Sequence, residues 1–372
     1  MPCFSYQDRF RRLGREYLLQ TSVNDLNRNI ICSLFYGGNL LATHVLPPMG
    51  DMIGHDSAEA VHEIHRQYLS DFDSLLGLVE RTVESDKPEL VEKVGKTLYY
   101  RKLYDEGLEL LRRAVDRFPD YPGYRSLLGR IYMALGHYSD AERELLQAVH
   151  LAPDYPDYRN LLGSAFLKSN KAVAAIGEFR KAVEANVYYH SAHYNLGLGY
   201  ILNGIVKEDY ELARDLAGNS DEAFGKAILF NPGYLNQDYQ RGRSRLNEGR
   251  LQEAFDDLSK AARSSETTTF QNELLELYLR NVHGSGGMTE KGISDYIGRL
   301  TSIIKTNPGF ADLHNEIGMA YTIMGKLITD KAIAHFREAL KTNPGFAKAE
   351  KHLKLSENDL KGFEILLGAI LK

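Results

Sequence analysis

Histidines and carboxylates gather near the start of the chain, at His55, His62, His65, Asp71 and Asp73. His62 and His65 stand three residues apart, which on a helix puts both imidazoles on one side, a spacing that metal sites use. The spacing fixes no third ligand, so the pair reads as helix surface and no metal is assigned. The two cysteines, Cys3 and Cys32, make neither a CxxC unit nor a disulfide framework. No phosphate-binding glycine loop, nucleophile motif or cysteine–histidine set occurs elsewhere. The chemistry-bearing residues therefore point away from an enzyme and imply no cofactor. One further concentration stands out: Arg241, Arg243 and Arg245 place three cations within five residues.

The elements that position these residues come from a soluble globular composition. Of the 372 residues 43% are hydrophobic and 26% charged, enough of each for packed, solvated domains. The net charge of −5 has no basic stripe, which argues against a nucleic-acid partner. The opening residues, MPCFSYQDRFRRLGREYLLQ, lack the apolar run of a signal peptide. No apolar stretch is long enough to cross a membrane, so a cytoplasmic location is expected.

From residue 88 the chain repeats itself. Gly95 falls on Gly129, Ala114 on Ala148 and Pro119 on Pro153, each 34 residues apart, and the next block keeps Gly163, Ala175, Phe179 and Ala182 in register. Leu128-Gly129, Tyr132, Gly136, Ala141, Ala148 and Pro153 fill successive slots of one pattern. This resembles the tetratricopeptide repeat (TPR) family, in which each repeat is a helix A, a turn and a helix B. The resemblance implies an all-α, right-handed superhelical solenoid of about seven repeats, preceded by a small α+β segment. Small residues at the glycine and first alanine slots should let helices A and B approach closely. A proline after helix B ends it and opens the next helix at no cost in hydrogen bonds.

The expected repeats are 88–121, 122–155, 156–189, 190–234, 235–268, 269–310 and 311–346, followed by a capping helix over 347–372. The fourth, sixth and seventh exceed the period by 11, 8 and 2 residues, each at the turn from helix A to helix B. In the fourth, IVKEDYELARDLAGNSDEAF could lengthen helix B or add a short helix. In the sixth, HGSGGMTEKG at 283–292 reads as a flexible loop. Such insertions form a second contact surface or are loop drift, which solenoids tolerate cheaply.

The family lines its groove with helix A, chiefly the second, fifth, ninth, twelfth and thirteenth positions. Carried onto this chain, the groove takes Tyr99, Tyr100, Arg130, Met133, Asn160, Leu167, Tyr194, Leu198, Ile201 and Leu202. The implied partner is a protein or peptide with apolar anchors. Chaperone-binding relatives clamp a C-terminal carboxylate with lysine, asparagine and arginine. Here the matching slots hold Glu92, Lys96, Leu127, Asp157 and Leu161 over repeats one to three, and Ser126, Arg130, Leu161, Ser191 and Asn195 over repeats two to four. Neither set supplies the needed cations, so that clamp is absent. Arg241 and Arg245 take slots where the pattern wants an apolar residue and an aromatic. With Arg243 they must snorkel, pair with acids such as Asp256 or Asp257, or meet an anionic ligand, and they join the candidate groove.

Residues 1–86 form the N-terminal segment. RNIICSLFYGGNLLATHVLPP predicts strands Ile30–Tyr36 and Leu40–Leu46 turning at Gly37-Gly38, where paired glycines supply positive φ. A helix over 57–84 is expected to cap the repeats. One strand face carries Ile30, Cys32, Leu34 and Tyr36, the other Ile31, Ser33 and Phe35. Both are largely apolar, so the hairpin needs cover, from its own chain or from a second copy in a homodimer. The layout resembles uncharacterised bacterial TPR proteins with a short N-terminal hairpin. The functional expectation is a non-catalytic protein-interaction scaffold; the alternative is a metal- or ligand-sensing adaptor built on the N-terminal histidines.

Overall fold

The computed structural model describes residues 5–24, 28–46, 55–265, 290–306, 311–342, 344 and 346–370. The chain divides into two compact units, one holding 1–38, 43–80 and 267–372, the other 39–42 and 81–266.

The N-terminal segment is a four-stranded antiparallel meander in the order β1-β2-β3-β4, with β1 Ser5–Arg12, β2 Arg15–Val23, β3 Ile30–Tyr36 and β4 Asn39–Leu46. The expected hairpin is present as β3 and β4, turning through Gly37 at φ 57° and Gly38 at φ 82°. It is half of the sheet. The other half, β1 and β2, was not expected from the sequence. It turns at Leu13-Gly14, where both residues again take positive φ, and the Glu80 carboxylate accepts the Leu13 N–H at 2.5 Å. β2 pairs with β3 from Tyr17↔Tyr36 to Val23↔Ile30.

Helix α1, His55–Thr82, covers one sheet face. Ile30 and Cys32 from the sheet close a core with Val61 and Ile64 of the helix, edged by Tyr6, Val23, Leu46 and Tyr68. Alternation does the sorting: Tyr17, Leu19 and Thr21 are buried, while Leu18, Gln20 and Ser22 are partly exposed. On the uncovered side a shallow hollow of about 530 Å³ is lined by residues that include Arg9, Glu16, Leu18, Phe35 and Tyr36.

Residues 88–265 form paired helices: α2 Pro88–Tyr100 with α3 Tyr104–Arg117, α4 Pro122–Ala134 with α5 Tyr138–Leu151, α6 Pro156–Lys168 with α7 Ala172–Ala185. Then come α8 His190–Val206, the short α9 Tyr210–Arg214, α10 Leu216–Phe230, and the pair α11 Gln237–Asn247 and α12 Leu251–Ser265. Prolines open α2, α4 and α6, and the residue before each is extended, as proline requires. The A-to-B turns repeat as well. Lys102, Gly136, Asn170 and Gly249 take left-handed φ, and the N–H of the next residue reaches back five residues: Leu103 to Leu98, His137 to Tyr132, Lys171 to Phe166 and Arg250 to Arg245. That is a Schellman cap at each turn.

Close approach of A to B is visible at the glycine slot. A Cβ on Gly163 would stand 2.5 Å from the Phe179 ring, and one on Gly197 2.7 Å from Phe224. Gly95, Gly129 and Gly242 face Leu111, Leu145 and Leu258 in the same way. Each buried leucine or phenylalanine at these contacts is worth about 1.5–3 kcal/mol. In the fourth block the extra length extends helix A rather than helix B and adds α9. Asn203, fully buried, ties the insertion by bonding both the carbonyl and the N–H of Asp209.

The C-terminal blocks depart from the expectation. Most of the sixth, including 283–289 of the glycine-rich stretch and 307–310 at its end, lies outside the described residues; Glu290–Thr306 is helix α13. In the seventh, Ala311–Thr342 is one unbroken helix, α14, where a helix–turn–helix was expected. Gly325 occupies the slot of the turn residues Lys102, Gly136 and Asn170, yet it stays helical, and a Cβ there would press Phe363 of α15, Ala347–Ile370. Just beyond that slot Lys326 and Asp330 form an ion pair at 3.1 Å, an i,i+4 contact that favours continuous helix.

Candidate functional site

Helices α2, α4, α6 and α8 pack in succession, each against the next A helix. Their shared face carries a tyrosine series with the repeat's own period: Tyr121, Tyr155 and Tyr189 are the N-cap residues of α4, α6 and α8. At Tyr121 and Tyr189 the non-helical N-cap backbone lets the ring reach the preceding A helix. Tyr121 donates to Glu92 at 2.5 Å and Tyr189 to Asp157 at 2.5 Å. A second tyrosine lies tilted against two of them, Tyr124 against Tyr121 and Tyr158 against Tyr155, with ring centroids 4.6 Å apart in both. Gly123 makes room: a Cβ there would stand 2.7 Å from the Glu92 carboxyl carbon.

An amide relay continues the face. Asn195 donates to the Asn160 carbonyl oxygen at 2.9 Å, and Asn160 donates to the Tyr189 hydroxyl at 3.4 Å. Burial and the neighbouring carboxylates push the Tyr121, Tyr158 and Tyr189 phenols well above the ordinary tyrosine range, so they act as donors at neutral pH. Lys96 and Arg130, one repeat apart on α2 and α4, are half-buried on this face. Burial holds Lys96 below the ordinary lysine range; Glu92 and Asp157 oppose the fall and Arg130 deepens it.

Of the expected groove residues, Arg130 and Asn160 belong to this face, while Tyr99, Tyr100 and Met133 are half-buried near the ends of α2 and α4. Leu167, Tyr194, Leu198, Ile201 and Leu202 do not line a groove. They are core, between 0 and 8% exposed. Tyr194 stacks on Tyr234 at 4.3 Å and donates to the Leu258 carbonyl. The cause is the company α8 keeps, since α6, α7, α10 and α12 all pack against it. HSAHYNLGLGYILNGIV is apolar nearly all round, the mark of an enclosed helix, and that signal was legible.

The three arginines of α11 are paired within the fold. Asp257, with a side chain 2% exposed, takes Arg245 at 2.8 Å and Arg241 at 3.1 Å. Arg241 also meets Asp238, and Arg243 meets Asp221. Asp256 bonds Gln252 instead. At the N-terminus His65 is buried, its Nδ1 against Thr21 at 2.9 Å and its Nε2 against Asp8 at 3.1 Å. His62 lies against the Tyr6 ring, and the side chain of His55 lies outside the described residues. Among the described residues no three His, Cys, Asp or Glu side chains converge as a metal would need.

A family model described as tetratricopeptide repeat matches residues 98–165, from the end of α2 to α6. These residues are tetratricopeptide repeats. No curated protein matches the chain. Among solved structures the chain is similar to MamA of Desulfovibrio magneticus RS-1, at 19% identity over 48% of this chain and 96% of that one, with a TM-score of 0.37. It is similar to TTC0263, a thermophilic TPR protein in Thermus thermophilus, at 21% identity over 52% and 98%, TM-score 0.37. A third, YrrB, titled a TPR protein with an unusual peptide-binding site, gives 16% identity over 55% and 98%, TM-score 0.36. The TPR fold is in general that of a protein-interaction scaffold. Among the described residues no helix is long and apolar enough to cross a membrane.

Proposed function

We propose that this chain is a non-catalytic scaffold that holds an extended segment of a partner protein on the shared face of α2, α4, α6 and α8. The observation that carries the reading is the period-34 tyrosine series, flanked by the Asn160–Asn195 relay. Rings set one repeat apart offer stacking shelves for alternate side chains, and side-chain amides and phenols suit a peptide backbone. Apolar anchoring falls to these tyrosines rather than to Tyr194 and Leu198, which the core uses. The test is capture of partners from the source cell, with Tyr158→Ala/Asn195→Ala compared with Arg112→Ala on an A–B contact away from this face. Loss of the partner with the first and retention with the second supports the reading; equal capture by all three proteins overturns it.

Self-association through the sheet is a second proposal, carried by the uncovered side of the meander. Leu18, Ile31 and Phe35 are only partly shielded there, and Leu40 and Val45 on the β4 edge strand are each 57% exposed. Light scattering of the full chain at tens of micromolar decides it, and a monomer sinks it. The histidine-based sensor has no comparable support, because both ring nitrogens of His65 already have partners.

A further inference from the structure

The period supplies its own control for what the turn from a helix B to the next helix A requires. After the C-caps of α3, α5 and α10 the chain runs Pro119-Asp120, Pro153-Asp154 and Pro232-Gly233. After the C-cap of α7 it runs Val187-Tyr188 instead, 57% and 71% exposed, so packing does not ask for them. The end of α10 changes in the same sense. Leu229, 73% exposed, takes the slot of Asp116, His150 and Glu184. Phe230 beside it brings that helix end to the turn, meeting the Tyr188 ring edge-on with centroids 5.3 Å apart. The turn is also held still. The Asn186 side chain accepts the Tyr188 N–H at 3.1 Å, and the Asn186 carbonyl accepts the Tyr189 N–H at 3.1 Å. The buried His193 donates from Nε2 to the Val187 carbonyl at 2.9 Å. Apolar surface left in water is unfavourable, and a pinned turn presents it with little left to order on binding.

We propose that Val187, Tyr188 and Leu229 form a second docking surface, which takes an amphipathic helical segment of a partner protein. It lies on the helix B side of the turn: Tyr188 meets Phe230 of α10, whereas its neighbour Tyr189 turns to Asp157 of α6. Its size argues against a second copy of the chain. The exposed parts of the three side chains come to on the order of 400 Å², a patch of functional size but half of the roughly 800 Å² that each side of a stable protein pair buries. The backbone argues against an extended segment. A strand adds itself through main-chain groups, and here the Tyr188 N–H, the Tyr189 N–H and the Val187 carbonyl are already taken within the turn. A helix satisfies its own main chain and docks by side chains alone, with apolar anchors three or four residues apart.

The experiment selects a displayed library of random linear peptides on the full chain and measures the selected peptides against variants. Val187→Pro/Tyr188→Asp gives this turn the residues of the turns after α3 and α5. Asn186 before it is already extended, at φ −142° and ψ 100°, as a following proline requires, so the fold should be kept. Leu229→Glu, which copies Glu184, tests the same surface from a different element, and circular dichroism checks that each variant is folded. The expected peptides carry apolar residues at i and i+3 or i+4 and gain helical signal on binding. Both variants should weaken them at least about tenfold, the loss of one anchoring side chain. The same peptides should still bind Tyr158→Ala/Asn195→Ala. Peptides indifferent to both turn variants overturn the inference, and if they are lost with Tyr158→Ala/Asn195→Ala the A-face reading stands without it. Turn-sensitive peptides that bind without gaining helix overturn it, as does a library that yields no turn-sensitive peptide. Self-association of the full chain, read by light scattering and lost with Val187→Pro/Tyr188→Asp, overturns it in favour of a second copy.

Discussion

Gly163 and Gly318 stand at the same slot of the same repeat pattern, and their surroundings have nothing in common. Around Gly163 the Phe179 ring presses to within 2.5 Å of where a Cβ would sit; around Gly318 nothing lies within 4 Å. The first belongs to a hairpin of helices locked by a Schellman turn. The second lies on an unbroken helix, where Ile317-Gly318 and Tyr321 keep the motif without its geometry, and Tyr321 is 60% exposed. A repeat motif thus records a packing solution that the longer seventh block does not keep. The glycine is small for a reason in one block and is only a weak helix former in the other.

The largest test of that contrast is Gly163→Leu, which must displace a fully buried phenylalanine and should cost about 3 kcal/mol. Urea unfolding of the full chain should show the midpoint falling for this variant. Next is Asp257→Asn, which removes the charge that Arg241 and Arg245 share. A loss of about 1.5–3 kcal/mol, read in the same way, is expected for hydrogen bonds to charged groups. In the 311–342 helix the comparable pair, Lys326–Asp330, is an i,i+4 contact within one helix, and its carboxylate is 41% exposed.

A smaller effect comes from a contact that two repeats have and the one between them lacks. Arg112 donates to Tyr132 at 2.8 Å and Arg180 to Tyr200 at 3.1 Å. One repeat after the first, the same slots hold Leu146 and Phe166, so both partners are apolar together. Arg180→Leu should cost about 1 kcal/mol by leaving the Tyr200 hydroxyl without its donor, and adding Tyr200→Phe should restore most of it. A double variant no better than the single one would mean the pair is incidental.

Gly318→Ala should go the other way from Gly163. With open space around it and an ordinary helical backbone, it should gain about 0.5–1 kcal/mol. A destabilised Gly318→Ala would erase the contrast. The last and smallest prediction concerns Lys96. Burial depresses its pKa in the fold, so the unfolded chain holds that proton more tightly. At neutral pH the lysine is charged in both states and the folded state bears the full burial cost. That cost is lifted as pH rises through the lowered folded value toward the ordinary one, roughly 10.4. Lys96→Met should therefore be more stable than the parent at pH 7, with the gap in melting midpoint narrowing toward pH 10.

Much of this was legible in the sequence, and the failures have physical causes. The glycine, alanine and proline slots foretold the hairpins of residues 88–185 because each slot answers one steric demand. The β3–β4 turn was legible because two adjacent glycines allow few alternatives. The first hairpin was missed because its turn is Leu13-Gly14 and its strand faces are dressed in arginine and glutamate, so alternation hides among charges. Tyr194 and Leu198 were misplaced by position counting alone, although the apolar circumference of their helix marked them as core. The tyrosine series lay in the period itself, at 121, 155 and 189, but at N-caps, outside the helix positions that usually define the groove. What no pattern could supply is which carboxylates these hydroxyls meet, since that depends on Tyr121 and Tyr189 reaching back across repeats to Glu92 and Asp157.

The unbroken 311–342 helix also has a mechanical consequence. A pair of helices joined face to face resists extension by shear: the load must strip one off the other along a whole buried seam before the chain yields, and each yielding repeat releases 34 residues, about 120 Å of slack. The helix over 311–342, 32 residues and about 48 Å long, has no turn between two halves, so its seam is with 347–370 instead. Under tension the repeats before residue 265 can each open on themselves, while 311–342 has no hairpin of its own to open and must be stripped from its neighbour as one body.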